Sequence, residues 1–202
     1  MNEKTAQFSL RGLFQPRDLT EGTPWKTILA FALPIIISYL LQQVYTISDA
    51  AIVGQTLTAG EVAGVNDTTS IIFIFLQFAF GVSAGFCVVT AAEVGAHHEA
   101  GVRRSLAAQI LLSAALTVLL TGLALLLLKP MLAWINVTPE SPEVYRAAHT
   151  YCAIIFAGIG AQLFYNFICS FLRSMGDSVT PLLFLLFSTI LNIGLDLLFI
   201  VS

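Results

Sequence analysis

The sequence predicts an all-α polytopic membrane protein, and three observations carry that prediction. Of its residues, 57% are hydrophobic and only 10% charged, with a mean hydropathy of +0.86, a balance that suits a chain solvated by lipid. Crossing a hydrocarbon core of about 30 Å takes about 20 apolar residues. Windows of that order without Asp, Glu, Lys or Arg run over 27–48, 68–92, 105–128, 147–172 and 178–195. The segments between them are short and leave no room for a separate soluble domain.

Residues 1–24 are mixed and mostly polar. They lack the short basic start and cleavable apolar core of a signal peptide, so they are expected to remain as a tail. Five transmembrane helices are expected over about 25–53, 66–93, 104–128, 143–173 and 180–202. Thr23-Pro24, Ser141-Pro142 and Thr180-Pro181 each place a hydroxyl residue before a proline, the pattern of an N-cap followed by a first-turn proline, and so mark the starts of spans one, four and five. Pro34, inside span one, removes a backbone donor and is expected to bend that helix. In span two Gly81, Ser83, Ala84 and Gly85 form a small-residue surface suited to close helix packing. Span five ends in Leu197-Leu198-Phe199-Ile200-Val201-Ser202 with no hydrophilic exit, which leads us to expect a truncated chain.

Basic residues set the expected orientation. With the N-terminus inside, Lys4, Arg11, Arg17, Lys26, Arg103, Arg104 and Arg173 are cytoplasmic, and only Lys129 and Arg146 are external. Outer loops then cover 54–66 and 129–143, and inner ones 93–104 and 173–180. Two glycosylation triplets near the outer face, beginning at Asn66 and Asn136, are of a kind that arises often by chance. The net charge of -3 comes without a basic run, which gives nucleic-acid binding no support. Cys87, Cys152 and Cys169 fall in or near apolar spans without CxxC spacing, and read as packing residues rather than a disulfide or metal set. His97 and His98 are adjacent and point about 100° apart on a helix, so they cannot chelate together. His149 reads as structural.

Polar side chains inside the spans need a reason, because a central Asp costs roughly 2.5 to 3.5 kcal/mol on insertion scales. Asp49 lies about 34 Å beyond Lys26 along a straight helix, and Asp196 about 28 Å beyond Asp177, which puts both toward the outer side. Gln42, Tyr45 and Asp49 share one face of span one by their i, i+3, i+7 spacing, and Asn192 and Asp196 are one turn apart on span five. Gln162, Asn166 and Cys169 make a third stripe on span four, ending one turn before Arg173. Three such stripes are able to line one cavity. The plainer alternatives stay open: Asp49 as an interfacial cap near Gly54, Tyr45 as an aromatic core residue, and the amides as interhelical hydrogen-bond glue.

Taken together, these residues resemble the N-terminal lobe of the MATE (multidrug and toxic compound extrusion) family of efflux transporters. The likeness runs from Leu19 to Ser202. Three blocks carry it: Leu33-Pro34 through Tyr45-Thr46-Ile47-Ser48-Asp49; Gly81-Val82-Ser83-Ala84-Gly85 through Gly95; and the run from Leu172 to Ile200, which reads Leu-Arg-Ser-Met-Gly-Asp, Thr180-Pro181, then Leu-Asn-Ile-Gly-Leu-Asp-Leu-Leu-Phe-Ile. The resemblance implies a twelve-span exporter of two six-helix lobes, with five spans of the first lobe present here and the C-terminal lobe missing. It implies residence in the cytoplasmic (plasma) membrane. It also implies that Asp49, Asn192, Asp196 and the span-four amide Asn166 take up a coupling Na⁺ or H⁺, while Gln42, Tyr45, Gln162 and Cys169 line the cavity. A second amide often found three residues after the first is Cys169 here.

The expected function is therefore not enzymatic: antiport of drugs or other organic compounds, often cations, against Na⁺ or H⁺, with no further cofactor. Three rivals remain. A lipid-linked saccharide flippase of the same superfamily would keep the architecture but line its cavity with basic residues, and no Lys or Arg lies within the five windows. An intramembrane aspartyl protease would require Gly-x-Gly-Asp, where this chain has Asn192-Ile-Gly-Leu-Asp196. The third rival is an inactive fragment, the 202 residues alone forming half a cavity that cannot alternate between states.

Overall fold

The structure, a computed structural model, describes residues 19, 20, 22–196 and 198. The tail expected over 1–24 and the end of span five beyond Asp196 lie almost wholly outside the described residues. Among the described residues six helices follow in order: α1 (Pro24–Thr56), α2 (Ala59–Gly95), α3 (Glu99–Trp134), α4 (Pro142–Ala157), α5 (Ile159–Ser174) and α6 (Val179–Asp196). The first three are each long and apolar enough to cross a membrane. The fourth expected span is a pair, α4 and α5, bent by 44° at Gly158. Within the described residues, α6 is a shorter apolar helix.

The helices overrun the hydrophobic windows. At 37 residues, α2 is about 55 Å long, well beyond a hydrocarbon core of about 30 Å. The outer loop expected over 54–66 shrinks to Leu57 and Thr58 between α1 and α2. Thr58 caps α2 with a complete capping box: its hydroxyl accepts from the Glu61 amide at 3.3 Å, and the Glu61 carboxylate accepts from the Thr58 amide at 3.0 Å. The Thr58-x-x-Glu61 pattern was present in the sequence and is the signal that a loop assignment there overlooked.

Three helices stop in the same way. After α2, α3 and α5 a residue turns to positive φ: His97 at 52°, Asn136 at 61° and Gly176 at 85°. At each stop that residue's N–H and the next one bond back to carbonyls of the last turn, as in Gly176 to Arg173 at 3.0 Å and Asp177 to Leu172 at 2.9 Å. These are Schellman stops, for which glycine is the least strained occupant. The start of α6 then differs from expectation. Asp177, not Thr180, is the cap: its carboxylate accepts from the amides of Val179 (3.0 Å) and Thr180 (2.9 Å) and from the Thr180 hydroxyl (2.5 Å). Met175-Gly176-Asp177 thus ends one helix and begins the next within three residues. At the other two prolines, Thr23 and Ser141 occupy the N-cap position, but neither side chain makes a capping hydrogen bond.

Packing divides the helices unequally. The hydrophobic core is built from α2, α3, α4 and α5, with Ala79, Leu120, Leu132, Phe156, Ile159 and Leu163 among its members and none from α1 or α6. The Phe75 and Phe156 rings meet at 5.0 Å. By contrast, α1 packs chiefly against α6, and α6 touches α5 only lightly. Gly64 brings α2 onto α4: a Cβ there would fall 2.7 Å from the Val144 carbonyl, and one on Gly160 would fall 2.8 Å from Thr117 of α3. The small surface at Gly81 and Gly85, expected to pack, meets nothing within 4 Å among the described residues, although Ser83 between them is buried. Leu126, Val118 and Leu111 on α3 are 81%, 75% and 73% exposed, a surface that only lipid solvates at no cost.

Candidate functional site

The pairing of α1 with α6, set apart from the α2–α5 core, leaves space along α5. Two adjoining cavities occupy it. One, of about 290 Å³, is walled by Ser38, Gln42, Gln77, Asn166, Cys169 and Arg173 among others. The second, of about 220 Å³, is walled by Gln42, Tyr45, Gln162, Thr189 and Asn192. Gln42, Gln162, Tyr165 and Leu185 belong to both walls, so the cavities are neighbours along one polar seam. The stripes read from helical periodicity on spans one, four and five converge on this seam.

Each side chain reaches its place for a local reason. Ser38 sits one turn after Pro34 and donates to the Pro34 carbonyl at 2.8 Å. Helix α1 continues through the proline without interruption. It also runs seven residues past Asp49, to Thr56, so Asp49 is no helix cap. Asp49 is partly buried and stands within electrostatic range of the Tyr151 hydroxyl on α4. It lies on the same face of α1 as Gln42 and Tyr45 but lines neither cavity. Asn192 lies in the second cavity wall. Asp196 is one turn further on the last turn of α6, and its side chain lies outside the described residues. Asn166 lines the first cavity and not the second, which separates it from Asn192.

The electrostatics of the seam lie in unmet hydrogen-bonding groups. Of the buried side-chain polar atoms without a partner among the described residues, three belong to its walls: Asn166 Nδ2, Arg173 Nε and Asn192 Oδ1. Buried polar groups are almost always paired, so three orphans around adjoining cavities mark places where water, an ion or a solute completes the bonding. Among the described residues no group of three His, Cys, Asp or Glu side chains is placed to hold a metal. The Asn192 carbonyl oxygen is a hard donor suited to Na⁺, and Asn166 Nδ2 and Arg173 Nε are suited to acceptors instead.

Sequence reasoning missed part of this wall. Arg173 was placed at the junction of span four with an inner loop and counted only for orientation, yet it is in the last turn of α5 and lines the first cavity. Gln77 and Tyr165 were also overlooked. The signal for Arg173 was the continuation of the Gln162, Asn166, Cys169 stripe by one more turn, and for Tyr165 its place on the same face, three residues after Gln162 and four before Cys169. Elsewhere, a recess of about 550 Å³ lies between the N-terminal ends of α2 and α4, lined by Glu61, Glu143, Arg146 and Thr150. It is larger but gathers none of the amide stripes. The Thr58 hydroxyl donates to Glu143 at 2.9 Å there, which reads as a tie between helix ends. All three cysteines are buried and free. Cys87 donates to Gln109 at 3.4 Å inside a polar knot that also joins Gln109 to Thr90 and to the Phe86 carbonyl. His98 and Glu93 approach to 2.7 Å, and the His149 and Tyr145 rings meet at a tilt with centroids 5.9 Å apart.

Known proteins share this architecture. The chain is 31% identical over 189 residues to the probable multidrug resistance protein YpnP of Bacillus subtilis, covering 91% of this chain and 40% of that one. It is 27% identical to the probable multidrug resistance protein YoeA of the same organism, covering 85% and 36%. Among solved structures, an outward-facing multidrug resistance MATE family transporter of the MOP superfamily superposes with a TM-score of 0.81 at 25% identity, over 90% of this chain and 40% of that one. A MOP superfamily transporter from Pyrococcus furiosus, whose binding pocket is described as of reverse polarity, gives 0.80 at 26%, over 91% and 40%. The chain thus spans about two fifths of the relatives it matches. A family model described as MatE matches residues 34–198, five of the six helices in full and most of the first, and the chain belongs to the MatE family of multi-pass membrane proteins.

Proposed function

We propose that the chain forms part of the N-terminal lobe of a secondary active exporter, which expels organic compounds, cations among them, against a gradient of Na⁺ or H⁺. One observation carries this reading: the polar stripes of α1, α5 and α6 converge on two adjoining cavities whose walls hold orphaned polar atoms. The family membership and the relatives named for multidrug resistance support it.

In this reading Asp49, Asn192 and Asp196 take up the coupling ion. Losing or gaining a charge there changes the free energy of burying the face of α1 that carries Gln42, Tyr45 and Asp49. The α1–α6 pair is the element free to respond, because it shares no core residue with α2–α5 among the described residues. In this reading the N-terminus lies on the cytoplasmic side of the cell membrane, the orientation that the distribution of basic residues favours.

The test is ethidium efflux from cells expressing the protein from its complete coding region, under separately imposed Na⁺ and pH gradients. Efflux driven by one gradient, and lost in Asp49→Asn and in Asp196→Asn while membrane insertion is preserved, is the expected result. Full efflux in both variants would sink the assignment of the coupling residues, and efflux independent of either gradient would sink antiport itself.

A further inference from the structure

The first cavity carries one charged wall residue, and it is a cation. Arg173 is held in the last turn of α5 by the Schellman stop at Gly176, and helical side chains tilt toward the N-terminus of their helix. Its guanidinium accordingly lies back along α5, within electrostatic range of Tyr165 and Cys169. Its Nε is enclosed and unpartnered. No carboxylate lines this cavity. Asp177, four residues on, has its oxygens occupied by Val179 and Thr180, and the one ion pair among the described residues joins His98 to Glu93. Two turns before Arg173, Asn166 is 93% buried, with Nδ2 in the wall and no partner. A half-buried guanidinium and a buried amide line the same space, Nε of the one and Nδ2 of the other bond to no protein acceptor among the described residues, and the wall holds amides and hydroxyls but no carboxylate: a donor set without its anion. The planar fork of Arg suits a carboxylate or phosphate, and burying it unpaired is costly. A structural reading, with Arg173 compensating the C-terminal dipole of α5, accounts for its place in the chain but not for Nε left unbonded inside a cavity.

We propose that this cavity binds the anionic oxygen group, carboxylate or phosphate, of an amphipathic organic molecule, with Arg173 as the charged anchor and Asn166 as the second donor. This rests on the export reading and narrows it: cargo includes anionic or zwitterionic compounds, and the anion end sits toward the turn between α5 and α6. If the group comes from a lipid, the site is a headgroup seat of the same chemistry.

The experiment is equilibrium dialysis of phenyl phosphate, and of phenyltrimethylammonium as the matched cation, against the protein expressed from its complete coding region and held in phosphatidylcholine nanodiscs. Phenyl phosphate is expected to bind the native protein, about tenfold more weakly in Arg173→Gln, with substantial recovery in Arg173→Lys and a smaller loss in Asn166→Leu. Phenyltrimethylammonium binding is expected not to respond to Arg173. Competition from added phosphatidylglycerol in the native protein but not in Arg173→Gln identifies lipid as the source, and its absence identifies a free solute. Equal phenyl phosphate binding in native, Arg173→Gln and Asn166→Leu proteins overturns the proposal. Because no gradient is imposed, failure here is separable from failure of antiport.

Discussion

Single residues decide where these helices stop, and the consequences are measurable. At Gly176 (φ 85°) an alanine pays the left-handed penalty, so Gly176→Ala should destabilise the chain by about 1 kcal/mol, seen as a lower midpoint of thermal unfolding followed by circular dichroism in detergent. His97 occupies the equivalent position after α2 at φ 52°. There the substitution runs the other way: His97→Gly relieves strain of about 1 to 2 kcal/mol and adds about 0.5 to 1 kcal/mol of chain entropy, for a small net gain. Asp177→Ala removes acceptors from the first turn of α6 and should cost about 1 kcal/mol in the same assay. An unchanged midpoint would mean that Thr180 or water takes over the cap. The sequence suggested a hydroxyl-proline start at Thr180-Pro181, and that pattern misled because the helix starts earlier, with the amides of Val179 and Thr180 itself capped by the Asp177 carboxylate.

At the scale of elements, the number and order of apolar segments were legible, because lipid solvation demands long uncharged runs. Their ends were not. A helix continues as long as its backbone bonds and caps allow, irrespective of hydrocarbon thickness, so α2 begins at Ala59 under the Thr58–Glu61 box rather than at the first purely apolar stretch. The bend at Gly158 escaped notice for a related reason: the uncharged window runs straight through it, and the clue was glycine spacing rather than hydropathy, Gly158 at the bend being followed by Gly160 where α5 leans on Thr117. Glycine position also separates tight from open faces. Gly64→Leu should break the α2–α4 contact, since a Cβ there already falls 2.7 Å from the Val144 carbonyl, with a loss on the order of 3 kcal/mol or failure to insert. Gly85→Ala, on the open face, should be neutral or slightly stabilising by helix propensity. Both are read by the yield of folded protein and its unfolding midpoint. Equal loss at both positions would mean that the Gly85 face is covered in the membrane.

Across the whole molecule, the site was legible as stripes but not as a place. Periodicity put Gln42, Tyr45, Gln162, Asn166, Cys169 and Asn192 on three faces, and only the folded arrangement shows that those faces border one seam while Asp49 stands outside it beside Tyr151. That geometry makes a mechanical claim. The core runs through α2, α3, α4 and α5, and α1 with α6 forms the other wall. If the proposed transport proceeds by repacking, α1 moves against α5, and Gln42 and Gln162, one from each of those helices, line both cavities. With Cys87, Cys152 and Cys169 replaced by alanine, Gln42→Cys and Gln162→Cys joined by a short, reducible bis-thiosulfonate should lose gradient-driven ethidium efflux, and reduction should restore it. Each single-cysteine variant treated with the same reagent controls for occupancy of the cavity, because a bulky adduct on one wall blocks cargo without tying the helices. Inhibition specific to the pair assigns motion to the α1–α6 element; full efflux in the cross-linked pair means that the seam is a fixed wall and that alternation takes place elsewhere.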